Sequence, residues 1–407
     1  MKTIYHNGRV FPGRLPLLQA FAVQDGRFLA AGTDAEILSL AEPGDVLQDL
    51  EGKFVCPGFN DSHMHLLNFG YSMELCDLAG ADSLENLLAR LEAFPGREWI
   101  LGRGWNQDLF SPATGMPTRR DLDRLTAEKP VCIVRCCGHC LAVNSRALAL
   151  LGIDGNTPQV PGGSFDTDDA GEPTGIFRDN AMGLVLSRLP LPDREDMKRM
   201  LRNACKALNG CGITSCQTDD LLAFEGVPWE EVLAAYRELE AAGELTVRIT
   251  QQSQFTTPEG LGEFLQKGGN TGVGSDLFRI GPLKLLGDGS LGARTAFLSK
   301  DYADAPGQRG IAIFSQAEFD EMIGLAHRSG MQVAVHAIGD GILDRVLSAF
   351  EKAFADCPRQ DHRSGIVHAQ ITRRDQLEKM KALGLHAWVQ TVFLDYDSRI
   401  VRRRVSR

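Results

Sequence analysis

His63 and His65 stand two apart at the end of the segment Cys56-Pro57-Gly58-Phe59-Asn60-Asp61-Ser62-His63-Met64-His65. In an extended chain, alternate residues project to the same side, so this pair can turn two imidazoles toward one ion. Two further histidines close short apolar runs, Val333-Ala334-Val335-His336 and Gly365-Ile366-Val367-His368. A lone histidine in that position is ordinarily a satisfied core or rim residue. Four of them at strand ends make a candidate metal centre, provided the fold gathers those ends. Lys284 lies among apolar neighbours in Ile280-Gly281-Pro282-Leu283-Lys284-Leu285-Leu286. A charged ammonium is costly there. Three outcomes are open: it snorkels to the rim, it pairs with an acid such as Asp288, or carbon dioxide carbamylates it into an anionic ligand able to bridge two cations.

From Phe54 onward, short apolar runs alternate with helical periodicity, the pattern of a parallel sheet with helices outside it. Strands are expected at 54–60, 212–218, 245–252, 279–286, 332–337, 364–369 and 386–392, with helices at 194–208, 229–242, 316–329, 342–355 and 374–383. The prediction is an α/β fold with a TIM-like (β/α)8 barrel over 54–407, lacking an eighth strand. All strand carboxyl ends share one face of such a barrel, so positions 63, 65, 336 and 368 converge there. Residues 66–194 read as a long insertion between the first two strands, of the kind that shapes a site mouth. Residues 1–53 alternate apolar stretches with turns at Asn7-Gly8, Asp25-Gly26 and Gly32, which predicts a small antiparallel sheet with its boundary near Lys53.

The chain has 407 residues, 43% of them apolar, enough for a sizeable core and too many for general disorder. Its 43 basic against 53 acidic residues give a net charge of -10 with no long basic tract, which argues against nucleic acid as a partner. No run approaches the roughly 20 apolar residues of a membrane span, and the first residues lack a signal peptide's apolar stretch, so a cytoplasmic protein without membrane attachment is expected. Ten cysteines at this length are not a disulfide scaffold; Cys56, Cys132, Cys205 and Cys216 lie in apolar runs and read as small hydrophobes. The cluster Cys136-Cys137-Gly138-His139-Cys140 lacks the second half of a zinc knuckle. The loop Gly287-Asp288-Gly289-Ser290-Leu291-Gly292 follows the fourth strand and carries an acid, unlike a phosphate cradle, and is read as letting backbone approach a substrate. Asp340, four residues after His336, is either a partner behind the candidate ligands or the cap of a helix starting at Gly341, and the cap is the preferred reading.

As a set, the residues from Pro57 to His65, Cys137-Gly138-His139 with Asn144-Ser145-Arg146-Ala147-Leu148, Lys284 with the residues from Gly287 to Ala296, and His336-Ala337-Ile338-Gly339-Asp340 are specific. They resemble the amidohydrolase superfamily, and within it the YtcJ-like group that includes N-substituted formamide deformylases. The resemblance spans essentially the whole chain. It implies a metal-bearing barrel with a small β-sandwich, and a hydrolase of non-peptide, amide-like C–N bonds that uses a metal-activated water. By position, it implies His63 and His65 as first-strand ligands, Lys284 as the fourth-strand ligand, carboxylated where two ions bind, and His336 and His368 as fifth- and sixth-strand ligands. Zinc is the expected ion; one ion needs only the histidines, and two require the modified lysine. His336, His368 and Asp288 are the candidate catalytic residues. His139, Arg294 and Trp105 are the candidate contacts to a small amide-like substrate. Association as a homodimer is a further expectation. The group's eighth strand ends in an Asp that binds metal and carries the proton, and this sequence stops at Arg407 before such a segment, with Asp395 and Asp397 poor replacements. The alternative expectation is therefore a metal-binding, catalytically impaired truncated form of such an enzyme.

Overall fold

The computed structural model describes residues 1–94, 96, 98–136, 138 and 140–405, and the chain divides into two compact units. The smaller comprises Met1–Asp61 and Asn209–Ser215. Its four-stranded sheet runs Arg27–Gly32, Ala20–Gln24, Lys2–His6, Val46–Asp49, around a core of Ile4, Ala20, Ala22 and Ile37. The Asp25-Gly26 turn joins the hairpin, with both residues at positive φ. The sheet is mixed, however. Lys2–His6 pairs antiparallel with Ala20–Gln24 but parallel with Val46–Asp49, because the helix Asp34–Leu38 intervenes and returns the chain in the same direction.

The larger unit is built on the expected strand–helix alternation. Among the described residues the main sheet has seven strands in sequential order, the last five wholly within this unit: β1 (Phe59–Met64), β2 (Ile213–Thr218), β3 (Arg248–Gln254), β4 (Phe278–Leu286), β5 (Val333–Ala337), β6 (Gly365–His368) and β7 (His386–Trp388). The pairings from β3 through β7 are all parallel. The helices that alternate with these strands are α1 (Leu66–Ser72), α2 (Arg194–Gly210), α3 (Trp229–Ala241), α4 (Pro258–Gln266), α5 (Gln316–Arg328), α6 (Asp340–Asp356) and α7 (Arg374–Ala382). Burial follows from composition: Val333, Ala334 and Val335 in β5 are fully buried, as strands covered on both faces require.

Three strands depart clearly from the expected bounds: the third runs Arg248–Gln254 and not 245–252, and the first and seventh differ more. The first strand begins at Phe59, because Phe54–Val55 pairs with Arg9–Val10 and Pro57, without an N–H, interrupts the ladder. The seventh ends at Trp388 and gives way to the helix Phe393–Arg404, which carries Asp395 and Asp397.

The insertion holds a second sheet, ordered Gly163–Thr167, Pro173–Asp179, Cys140–Val143, Val131–Arg135, Ile100–Trp105, Cys76–Asp77. Alternate residues feed two apolar clusters: Val131, Ile133 and Ala142 point to one, Cys132, Leu141 and Val143 to the other. Among the described residues no helix is long and apolar enough to cross a membrane. Cys132, Cys205 and Cys216 are buried free thiols, whereas Cys56 is exposed, since it lies in the loop between strands and outside any core.

Candidate metal centre

The four strand-end histidines are neighbours. Ring centroids lie 5.4 Å apart for His63 and His65, 5.1 Å for His63 and His368, and 4.6 Å for His336 and His368. Parallel register does this: Leu286 of β4 faces His336 of β5, and Ala337 faces His368 of β6. His368 and Ala369 both take left-handed backbone angles, φ 73° and 46°. Such non-glycine residues are uncommon and cluster at functional sites.

Lys284 is fully buried and does not reach the rim. Its Nζ lies 2.6 Å from Oδ2 of Asp219, not Asp288, and the other Asp219 oxygen lies 2.5 Å from Nδ1 of His65. Burial depresses the Lys284 ammonium despite that carboxylate. Burial likewise pushes Asp219 up, but the hydrogen bond from His65 and the Lys284 charge together hold it below the usual carboxylate range. The His65 hydrogen bond to Asp219 raises that imidazole, against burial. Desolvation, then the Lys284 charge, lowers His63 to about 3; desolvation, then His336, lowers His368 to about 3.

Three rings are oriented by acceptors at one nitrogen. His65 Nδ1 meets Asp219, His368 Nδ1 lies 2.5 Å from Oε1 of Gln390, and His336 Nε2 lies 3.0 Å from the Gly289 carbonyl oxygen. An acceptor holds the proton on the nitrogen facing it, which leaves Nε2 of His65, Nε2 of His368 and Nδ1 of His336 as lone-pair donors when the rings are neutral. That donor set suits a divalent ion such as zinc. Among the described residues, no group of three or more His, Cys, Asp or Glu side chains is arranged so that it could hold a metal ion as it stands.

The remaining candidates are placed elsewhere or differently. Asp288 is 2% exposed and accepts backbone N–H groups from Ile338 at 3.0 Å and from Gly339 and Phe297, both at 2.8 Å. It knits the β4 and β5 loops together, and its Oδ1 lies 3.4 Å from His336 Nε2. Gly287 makes the same junction: its N–H donates to the His336 carbonyl at 2.9 Å, and a Cβ there would sit 2.6 Å from that oxygen. The close approach expected of this glycine loop is thus to β5. The Arg294 guanidinium is held by Asp304 at 2.8 Å and 3.1 Å. Trp105 is fully buried in the insertion's core, its indole N–H donating to the Ile133 carbonyl, so it offers no surface to a substrate. His139 and Cys137 lie outside the described residues. Asp340 does not cap its helix, which begins after Gly339; it binds Ser299 and Arg373. A cavity of about 400 Å³ has Thr250, Arg279, Gln332 and His386 in its lining and none of His63, His65, His336 and His368.

Sequence reasoning missed Asp219 and Gln390. The signal was available for the first: Thr218-Asp219-Asp220 ends β2 as His336 ends its own run of β5, on the same rim of the sheet.

A family model described as amidohydrolase family matches residues 46–406. The Bacillus subtilis (strain 168) protein YtcJ is 31% identical over 98% of this chain and 74% of its own length. The N-substituted formamide deformylase of Arthrobacter pascens is 25% identical over 93% of this chain and 70% of its own. Among solved structures, an uncharacterized metal-dependent hydrolase from Pyrococcus furiosus superposes with a TM-score of 0.82 at 33% identity, covering all of this chain and 80% of that one.

Proposed function

The chain belongs to the amidohydrolase family, and on that premise we propose that it is a metal-dependent hydrolase of amide-like C–N bonds. The observation that carries the reading is the meeting of His63, His65, His336 and His368, drawn from three chain-distant strand ends, beside the buried Lys284. The four imidazoles would hold the ion, with Lys284 joining them in carboxylated form if a second ion binds. Bound there, a divalent ion would lower the pKa of a water toward about 7 and polarise the substrate carbonyl. The chain's own residues set the rest. His63 and His368, held near pKa 3, remain neutral donors across the working range. Asp219 offsets the Lys284 charge and holds His65. The small-molecule substrate, and association as a dimer, belong to the same reading.

A specific observation favours a second reading, a metal-binding form with impaired turnover. The leaving nitrogen must receive a proton, because an amide anion is too basic to depart. Of the carboxylates described at the site, Asp219 is shared between His65 and Lys284, and Asp288 is occupied by three backbone N–H groups. Elemental analysis of the purified chain, paired with hydrolysis assays on N-substituted formamides and simple N-acyl compounds, separates the two. Bound metal with turnover is the expected result. Metal without turnover establishes the impaired form, and no metal at the histidines removes both readings.

A further inference from the structure

We propose that Thr218, Asp219 and Asp220 act as one clamp that fixes the backbone and the imidazole of His65, making all three positioning residues for the site. This rests on the hydrolase reading for its purpose, though not for its geometry. The three residues leave the end of β2 consecutively, at 0%, 4% and 0% exposure, and each grips the segment 65–67. Thr218 Oγ1 accepts the Leu66 N–H at 2.7 Å, Asp220 Oδ1 accepts the Leu67 N–H at 3.1 Å, and Asp219 Oδ1 takes the His65 ring at 2.5 Å.

His65 is the N-cap of α1 and makes no side-chain cap bond. The first N–H groups of a helix have no partner inside it, and a buried one left unpaired is costly. Here the caps come from another strand, 152 and 153 residues along the chain. The clamp is itself anchored: Asp220 Oδ2 accepts the Thr218 hydroxyl at 2.8 Å and the Tyr236 hydroxyl at 2.5 Å, and Tyr236 is fully buried on α3. The backbone contacts therefore set where the His65 ring originates, and the Asp219 contact sets which nitrogen keeps its lone pair. A carboxylate behind a ligating histidine commonly contributes 10–100-fold to metal affinity.

The test uses the intact chain with histidine-selective ¹⁵N labelling, the His65 signals being assigned by their loss in His65→Gln. In metal-free protein in alkaline buffer, wild type and Thr218→Ser should show His65 protonated at Nδ1, with Asp219→Ala losing that preference. Zinc affinity, measured by competition with a chromophoric chelator, should fall about 10–100-fold in Asp219→Ala. It should fall on the order of 10-fold in Thr218→Val and recover in Thr218→Ser, which keeps the hydroxyl. If Asp219→Ala fails to fold, the Thr218→Val and Thr218→Ser pair decides. An unchanged His65 tautomer in Asp219→Ala, or unchanged zinc affinity in Thr218→Val, overturns the clamp. A normal tautomer pattern in a wild-type chain that takes up no zinc leaves the clamp standing and removes the hydrolase reading.

Discussion

His63 and His368 carry an acid liability that His65 does not. Their folded pKa values lie near 3, against about 6.5 in an unfolded chain, so between those limits unfolding takes up protons. Stability is fully present above about pH 6.5 and is lost as pH falls toward 3, at up to roughly 1.4 kcal/mol per pH unit for each ring. Asp220 acts the other way: burial raises it to about 6, so its contribution is lost as pH rises from about 3.8 to 6. Two rings against one carboxyl leave a net acid loss. Denaturant melts of the metal-free chain between pH 7 and 4 should show it, and His63→Gln should flatten the slope; an equal slope in the variant would contradict the placement of His63. At this scale the histidines were legible because each ends a short run that reads as a strand. The partner of Lys284 was not. Nearness in sequence suggested Asp288, while the fold supplied Asp219 from 65 residues away. Trp105 shows the converse limit, since nothing local distinguishes a core indole from one facing a ligand.

The elements were legible where periodicity is strong. Helices α2, α3, α5 and α7 keep the expected residues to within two or so positions, as amphipathic segments of 9 to 17 residues should. Boundaries failed where tertiary pairing overrides local pattern, as at Phe54–Val55, whose partner is Arg9–Val10. The junction of β4 and β5 depends on a residue with no side chain. Gly287→Ala should destabilise the chain by about 1–3 kcal/mol through its clash with the His336 carbonyl and the Ile342 side chain, and should displace His336. Thermal denaturation measures the first effect and zinc affinity the second; a variant that melts and binds like wild type would show that the junction yields freely.

For the molecule as a whole, the acidic composition carries an expectation about partners that a binding experiment can check. A net charge of -10 without a long basic tract disfavours the counterion release that drives phosphate-backbone binding, so duplex DNA should not be retarded by micromolar protein at physiological salt. A gel-shift that persists there would contradict this. The mixed small sheet and the insertion's separate sheet were beyond pattern reading, because both depend on which strands find each other across intervening chain. That second sheet has apolar packing on each side, one cluster including Trp105 and the other Phe177. A segment with its own double-sided interior can be rebuilt piecemeal while the histidine-bearing strands keep theirs.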